Sequence, residues 1–409
     1  MYSSKWLCCQ IGARENYAIP KALNEYHLLA GLFTDIWIDA ASPVSGLMEC
    51  LVPRLSGRHA KIEISKISSF NASAILFEFQ ESISRHQGWQ RMYHRNLWFQ
   101  DKVIHSGQFK DLCRKENNKP VVFCYSYAAR KILERAKYYG CYTVLGQIDG
   151  GLEEENLVAH AVTSYSKYQP VFERAPEAYW EDWKVECNLA DRIVVNSDWS
   201  RQLLNKAGVP DSKLRVVPLM YDTNSTSAGK IYPDRFTDAQ PMKVLFLGSL
   251  IIRKGIGAML EAVKILNTHP IEFWFVGQEG IRLPDELQHN KRVHWVGPVP
   301  RSKTAQYFRE SDLFIFPTLS DGFGLTQLEA MSYGMPVIAS RQCGEVVDHE
   351  CNGLVLPDTK ATHIADVLAW CLENPDRLNG MSQQALHATR KYSSEQVFPA
   401  LLNSIVAAV

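Results

Sequence analysis

The 409-residue sequence lacks three features that would place it in particular classes of protein. Lys plus Arg and Asp plus Glu each number 44, so the basic excess of a dedicated nucleic-acid binder is missing. The ten cysteines form no C-x-x-C pair, which excludes zinc-ribbon spacing and predicts free thiols in a reducing compartment. The third missing feature is a long apolar segment: the apolar runs are far shorter than the roughly 18 residues of a membrane helix, and residues 1–13 lack the apolar core of a signal peptide. We therefore expect a cytoplasmic protein that binds no nucleic acid, with peripheral contact at the inner face of the membrane left open.

Short apolar runs alternate with segments of helical periodicity, which predicts an α/β protein. The runs with the composition of buried parallel strands are residues 6–11, 121–125, 142–145, 192–196, 243–247, 272–276, 293–296, 313–316 and 337–339. Between the two series, residues 223–240 are polar and contain Gly, Pro and Ser, as interdomain linkers do. We predict two doubly wound, Rossmann-like domains at residues 1–222 and 241–385, and a C-terminal helix at 386–409 that packs back toward the first domain.

A glycine-bearing loop after the predicted strand at residues 313–316 is the strongest candidate site. In an open α/β sheet, ligands bind beyond the carboxyl ends of the strands, and free N–H groups at a helix start bind phosphate. The helix opens near Leu325, and Thr326 offers a hydroxyl donor. Glu329 lies about one turn into the helix, where it can accept from the paired hydroxyls of a ribose, and Asp321 is placed to meet a second polyol. The alternative is a plain strand–turn–helix with solvated acids.

Residues 321–340, DGFGLTQLEAMSYGMPVIAS, resemble the E-x7-E signature of retaining family-4 glycosyltransferases, the group 1 glycosyl transferases of GT-B fold. The positions that match the pattern are Gly322, Phe323, Gly324, Glu329, Gly334 and Pro336. The first acid departs from it, because Asp321 is one methylene shorter than the family's Glu. The resemblance implies a GT-B fold, in which the two domains face a central cleft and the second domain binds a nucleotide-sugar.

The resemblance extends over about residues 242–375. The segment FLGSLIIRKG at residues 246–255 is similar to the strand and loop that hold the diphosphate in the family, and Lys254 is the matching lysine. Ser249 stands where the family has an arginine, so we expect Arg253 to supply that charge. Val299 lies in a turn that is similar to the one bordering the nucleobase. Two cations beside a diphosphate would neutralise the charge that develops on the leaving group; the alternative for Arg253 and Lys254 is a solvated loop pair.

The first domain resembles the family less closely. Gly12 would allow close backbone approach in the loop that lies between acceptor and donor phosphates in the family. Arg14 and Asn16 follow it, and we expect them to contact the acceptor, or for Arg14 a phosphate. Gln147 or Asp149 occupies the place of a histidine common in the family. Asp149 is the preferred candidate for the transferred sugar or the acceptor hydroxyl, and an Asx turn is its structural alternative.

The resemblance implies a retaining glycosyltransferase that moves a sugar from a UDP- or GDP-linked donor to a hydroxyl of a sugar, lipid-linked or small-molecule acceptor. Polysaccharide, glycolipid or other glycoconjugate synthesis would use such a reaction, and it would need neither a metal nor another cofactor. Residues expected to be catalytic are Asp321, Lys254, Arg253 and Asp149. Residues expected to bind the donor are Gly12, Gly322, Phe323, Gly324, Leu325, Thr326, Glu329 and Val299. Two alternatives stay open: a sugar-nucleotide epimerase of GT-B type, and a catalytically weak partner subunit of a glycosyltransferase.

A basic and aromatic segment, Arg85 to Lys115, lies in the first domain. It contains seven Lys or Arg and two Asp, with His and aromatic residues between them. Such a surface can dock on anionic lipid or hold a phosphorylated acceptor. The alternative is a solvated helix face.

Overall fold

The computed structural model describes residues 4–38, 57–84, 86–115, 119–223 and 228–406. Cys50, Arg85 and residues 224–227 of the predicted linker lie outside the described residues. The described chain forms two parallel sheets of seven and six strands, and each sheet has helices between its strands. The α/β fold class predicted from the sequence, with two Rossmann-like units, is confirmed.

The first sheet has the strand order β3-β2-β1-β4-β5-β6-β7, and every pairing in it is parallel. Its strands are β1 (Trp6–Gln10), β2 (Leu29–Thr34), β3 (Ile67–Ser69), β4 (Val121–Tyr125), β5 (Tyr142–Gln147), β6 (Arg192–Val195) and β7 (Leu214–Val216). Its helices are α1 (Ala18–Glu25), α2 (Asn71–Ser84), α3 (Gly88–His105), α4 (Gly107–Arg114), α5 (Arg130–Tyr138), α6 (Gly151–Ser164), α7 (Glu177–Leu189) and α8 (Asp198–Lys206). Strands β1 and β4 are buried at every position, as strands covered by helices on both faces are.

The second sheet has the order β10-β9-β8-β11-β12-β13 and is also parallel. Its strands are β8 (Met242–Leu247), β9 (Ile271–Val276), β10 (Val293–Gly297), β11 (Leu313–Phe316), β12 (Val337–Ala339) and β13 (Gly353–Val355). The helices that follow its strands, and those that end the chain, are α9 (Ile256–Ile265), α10 (Asp285–Gln288), α11 (Arg301–Glu310), α12 (Thr326–Met331), α13 (Ala361–Glu373), α14 (Pro375–Ala388) and α15 (Ser394–Val406). In each sheet the order reverses beside the first strand, and such a switch point opens a crevice at the carboxyl ends of the strands.

The last helix, α15, packs on the first domain. Phe398, Leu401 and Ile405 are buried in the same cluster as Trp6 of β1 and Leu23 of α1. Burying side chains of this size stabilises a fold by about 1.5–3 kcal/mol each. The chain therefore crosses between the two sheets twice, once after β7 and once before α15.

The cysteines and the lengths of the apolar helices can be checked in the described residues. All nine cysteines in this part of the chain are free thiols, and eight of them are buried, with Cys351 exposed. No helix in the described ranges has the length and apolar character that crossing a bilayer requires.

Candidate active site

The glycine loop between β11 and α12 lies against the first domain. A Cβ on Gly322 would lie 2.1 Å from the carbonyl oxygen of Ile148 and 3.4 Å from the Cα of Asp149. Both of these atoms belong to the backbone that follows β5. The carboxyl ends of β5 and β11 therefore meet at this point, and only glycine fits the approach.

A second set of contacts joins the two domains beside the glycine loop. The buried Ser320 hydroxyl donates to Glu154 Oε2 of α6 over 2.6 Å and accepts from Trp199 Nε1 of α8 over 2.8 Å. Arg253 donates to the Ser320 carbonyl over 2.9 Å, and its Nη1 lies 3.5 Å from Glu154 Oε1. Burial, followed by the charge of Asp149, raises the pKa of Glu154. The contacts place a first-domain carboxylate beside a cation of the second domain. No motif in the sequence pointed to Glu154, Ser320 or Trp199.

Lys254 and Arg253 converge on Asp321. The Lys254 ammonium contacts the Asp321 carboxylate, and Arg253 Nη1 lies 3.9 Å from Asp321 Oδ2. Lys254 Nζ also lies 5.0 Å from the centre of the Phe316 ring, within reach of a cation–π interaction. Burial, followed by repulsion from Arg253, lowers the pKa of Lys254 to about 7. A dianionic group bound here would favour the charged lysine, because an opposite charge offsets the cost of burial.

The loop presents backbone N–H groups beyond these side chains. Within the described part of the chain, the N–H groups of Gly324, Leu325 and Thr326 donate to no protein acceptor. Gly324 has a φ of 81°, a conformation that favours glycine and turns the loop into α12. Phe323 plays a different part, because its side chain is buried against the ring of Tyr392 with the ring centroids 5.8 Å apart. Phe323 therefore fixes the loop by packing, and its neighbours supply the open N–H groups.

Glu329 of α12 lies beside a cation that the sequence analysis missed. Arg301 Nη2, at the start of α11, lies 3.5 Å from Glu329 Oε1. Burial raises the pKa of Glu329, and Arg301 opposes the shift. The other end of the Arg301 guanidinium donates to Asn16 of the first domain. Asn16, expected at the acceptor, thus lies on the side of Glu329, and Val299 is half-buried two residues before Arg301.

Asp149 faces this loop from the first domain. Its Oδ1 accepts from Gln147 Nε2 and from the Gly151 N–H, each over 3.0 Å, and from the Tyr127 hydroxyl. The bond to Gly151 is that of an Asx turn, so the structural alternative for Asp149 is present in the fold. Its carboxylate nevertheless borders both of the cavities described below. Tyr127, a neighbour that the sequence did not suggest, lines the same two cavities.

The first loop of the chain holds an unusual backbone. Glu15, Asn16 and Tyr17 have φ values of 51°, 53° and 60°, so three consecutive residues other than glycine adopt left-handed conformations. Each such residue costs about 1–3 kcal/mol and tends to occur at functional sites. Gly12, with a φ of 77°, donates its N–H to Asp35 Oδ1 over 2.8 Å and is not among the residues that line the two cavities. Arg14 lines both of them.

Two adjoining cavities lie along these residues. One has a volume of 480 Å³ and runs between the domains, where Arg14, Asp149, Arg253 and Asp321 are among the lining residues. The other, of 340 Å³, lies within the first domain and shares Arg14 and Asp149 with it. Both volumes are typical of sites for small organic ligands. Of the predicted residues, the two cations, Asp321, Gly322, Arg14 and Asp149 are brought together, while Glu329, Asn16 and Val299 lie on the Arg301 side.

Comparison with known proteins finds similarity in the second domain. Residues 241–374 match the family described as glycosyl transferases group 1. A D-inositol 3-phosphate glycosyltransferase of Nocardia farcinica is 28% identical over 241 residues, which cover 54% of this chain and 53% of the relative. The chain spans about half the length of the curated relatives it matches.

Solved structures share the whole fold. Anabaena HepE in complex with UDP-glucose has a TM-score of 0.62 at 14% identity, and sucrose-phosphate synthase from Thermosynechococcus elongatus has 0.63 at 16%, each over 100% of both chains. At such identities the likeness shows the fold alone. The chain therefore has the two-domain GT-B fold, and the family match of its second domain supports a glycosyltransferase of group 1 type.

Proposed function

We propose that this protein transfers a sugar from a nucleoside diphosphate sugar to an acceptor hydroxyl, with retention of configuration at the anomeric carbon. The observation that carries the proposal is the cation pair Arg253 and Lys254, which lies beside Asp321 at a loop with open N–H groups. Of this set, Arg253 and Asp321 line a cavity of 480 Å³ whose opposite wall carries Asp149. UDP-sugars are the first donors to test, because Anabaena HepE was solved with UDP-glucose.

The donor diphosphate would lie against the second domain. The N–H groups of residues 324–326, with Arg253 and Lys254, would bind its oxygens and stabilise the charge that builds up as the sugar leaves. Lys254 would be held charged by the bound anion although burial lowers its pKa. The protein's own cations supply the charge that the leaving group needs, so we propose a reaction that requires no metal.

The two acids of the signature would change partners when the donor binds. Asp321 contacts Lys254 in the structure, and a diphosphate that attracts Lys254 would leave Asp321 to accept from hydroxyls of the transferred sugar. Glu329 would accept from the ribose hydroxyls, with Arg301 at 3.5 Å held beside them. Each exchange replaces one charge-assisted contact by another, so neither carboxylate is left buried without a partner.

The acceptor would enter from the first domain. Arg14 and Asp149 border both cavities, so an acceptor in the 340 Å³ cavity would reach a sugar in the other one at these two residues. We propose that Asp149 contacts the acceptor hydroxyl or the transferred sugar, and that Arg14 holds a polar or anionic part of the acceptor. Contacts such as Ser320 to Glu154 hold the domains together and would limit the access of water to the donor.

The test begins with binding. UDP- and GDP-sugars are screened for thermal stabilisation, where a ligand at 100 times its dissociation constant adds about 2.7 kcal/mol. Arg253→Ala should weaken the stabilisation by the preferred donor about 10-fold or more, since hydrogen bonds to charged groups contribute about 1.5–3 kcal/mol. Arg282→Ala, an exposed arginine outside the cavities, serves as the matched control. Equal stabilisation of both variants would contradict the donor site.

Turnover then separates the alternatives. With donor and a panel of sugar, lipid-linked and small-molecule acceptors, a transferase forms a product whose anomeric configuration, read by NMR, matches that of the donor. An epimerase changes the sugar of the donor with no acceptor present. Donor binding without turnover on any acceptor would favour a partner subunit.

We also propose that the first domain contacts anionic membranes. Helix α2 exposes the apolar side chains Ile75, Leu76, Phe79 and Ile83. In the described part of the basic segment, Arg91 and Arg95 pair with Glu78 and Asp35, while no ion pair forms at Lys102, Lys110 or Lys115. An exposed apolar helix face, followed in the chain by lysines without ion pairs, suits a surface that binds anionic lipid.

Vesicle flotation tests the membrane proposal. The protein should float with phosphatidylglycerol vesicles and not with phosphatidylcholine vesicles, and Phe79→Glu should abolish the association. Ile231→Glu, at a side chain 94% exposed in the second half of the chain, is the control. Equal flotation of the two variants would show that α2 does not carry the contact.

A further inference from the structure

Three potential metal ligands meet between α2 and α3, away from the candidate active site. They are Glu81 near the end of α2, His86 in the loop that follows, and His94 on α3. His86 Nδ1 lies 3.1 Å from Glu81 Oε2, and His94 Nδ1 lies 3.4 Å from Glu81 Oε1. One ligand atom from each residue lies within 4.8 Å of the other two. The cluster therefore brings together two imidazoles and one carboxylate from three separate positions in the chain.

The spacing fits a tetrahedral ion. Zinc binds imidazole nitrogen and carboxylate oxygen at about 2.0–2.2 Å, which places ligand atoms roughly 3.3–3.5 Å apart around a tetrahedral centre. Each Nδ1–oxygen distance is close to this value, although the two nitrogens face different oxygens of the Glu81 carboxylate and the full set of ligand atoms spans up to 4.8 Å. The imidazole rings are nearly perpendicular, at 88° with centroids 4.4 Å apart, so both can direct a nitrogen at one point without stacking. Small rotations of the side chains would complete the site.

The charges around the cluster also favour a cation. Glu81 is only 7% exposed, and a buried carboxylate is costly unless a positive group compensates it. The Glu81 carboxylate contacts the two histidines, whereas the neighbouring Glu78 pairs with Arg91 and Arg95. In the part of the chain that the structure describes, no Lys or Arg forms an ion pair with Glu81. A divalent ion would supply the missing charge and use neutral histidines as ligands.

We propose that Glu81, His86 and His94 bind a divalent first-row metal ion, with zinc as the best match. Imidazole suits this group of metals, and two imidazoles with one carboxylate leave a fourth position for water. The ion would link the end of α2 to α3, and α3 carries Trp89, Met92 and Arg95, which line the 340 Å³ cavity. The site would thus be a positioning element for that cavity wall, separate from the reaction, and it does not depend on the proposed function.

Metal binding is measured directly on the full-length protein. After treatment with a chelator, the protein is titrated with zinc in a calorimeter, and cobalt(II) is used in parallel because its visible spectrum reports coordination by nitrogen and oxygen. We expect one equivalent of tightly bound zinc, a four- or five-coordinate cobalt spectrum, and a higher midpoint of thermal unfolding with zinc. His94→Gln and His86→Gln should each weaken binding at least about tenfold, since even residues that only orient ligands contribute about 10- to 100-fold.

His105→Gln is the matched control, because His105 is exposed at the end of the same helix α3 and its Nδ1 bonds the backbone carbonyl of Asp101. It should bind zinc as the wild type does. If His94→Gln and His86→Gln fold normally by circular dichroism and bind zinc as tightly as His105→Gln, the proposal is overturned. It is equally overturned if the wild type binds no stoichiometric zinc, in which case the cluster is a carboxylate in contact with two histidines and no metal.

Discussion

Replacing Gly322 by alanine tests how closely the two domains must approach for the proposed reaction. The added methyl carbon would lie 2.1 Å from the Ile148 carbonyl oxygen, which is a backbone atom that no rotamer change can move away. Ordinary contact distances are about 3.5–4.0 Å, so the glycine loop and the Ile148 backbone must separate by roughly 1 Å or more. The separation would move Asp321 away from Asp149, because these residues flank the two backbones in contact.

A misplacement of about 1 Å can reduce catalysis by about 100-fold without touching a reacting group. We therefore expect kcat/KM of Gly322→Ala to fall by about two orders of magnitude. Donor binding should change much less, because Arg253, Lys254 and the N–H groups of residues 324–326 all belong to the second domain. A large loss of turnover with nearly unchanged donor binding would identify the separation of the two domains as the cause of the lost activity.

Gly107→Ala provides the matched control. Gly107 starts α4, and a Cβ added there would meet no atom within 4 Å. This variant should keep wild-type activity. The reasoning is refuted if Gly322→Ala turns over donor and acceptor as well as Gly107→Ala does, since the close approach to Ile148 would then play no part in assembling the site.

Three further predictions concern the donor site and the packing. Glu329→Ala should weaken donor binding about 10- to 150-fold, because hydrogen bonds to a charged group contribute about 1.5–3 kcal/mol. The fold should stay intact by circular dichroism, and donor binding equal to that of the wild type would show that Glu329 does not belong to the site. Because burial lowers the pKa of Lys254 to about 7, donor binding should weaken as pH rises above 7. Lys254→Arg should abolish that pH dependence, since arginine stays charged. Leu401→Ala should cost about 2–5 kcal/mol in urea unfolding, and Leu76→Ala, at an exposed leucine, should cost little.

Much of the architecture could be predicted from the sequence, because strands buried on both faces are uninterrupted apolar runs. The predicted strands at residues 121–125 and 313–316 coincide with β4 and β11. Helix ends are less predictable. The sequence pattern predicts helices at residues 326–333 and 304–310, but the first helix ends at Met331 and the second begins at Arg301. End positions depend on backbone contacts that a pattern of apolar residues does not encode.

Only some residues of the candidate site could be predicted from the sequence. Arg253, Lys254 and Asp321 could be placed together because they follow neighbouring strands of one parallel sheet, whose carboxyl ends share an edge. Glu154 and Arg301 could not, because Glu154 belongs to the first domain and Arg301 starts the helix after β10, which is three places from β11 in the sheet order. Glu154 stands in a run of three acids at the start of α6. Acids are favourable there because of the helix dipole, so the run does not indicate a site. Its burial beside Ser320 appears only when the two domains are placed against each other.

With Arg301 included, both acids of the signature, Asp321 and Glu329, lie beside a cation. In the structure Asp321 contacts Lys254 and Glu329 lies beside Arg301, so each acid has a cation of its own domain. A ligand with two anionic phosphates and several hydroxyls can replace the partners within these ion pairs: its phosphates attract the cations, and its hydroxyls donate to the carboxylates. A neutral sugar brings no charge to attract Lys254. Selection for the nucleotide-linked donor would therefore precede selection among sugars. Arg301 also donates a hydrogen bond to Asn16 of the first domain. Movement of Arg301 toward a bound ribose would therefore pull on the strained segment at residues 15–17. Donor binding to the second domain would in this way change the conformation of the first.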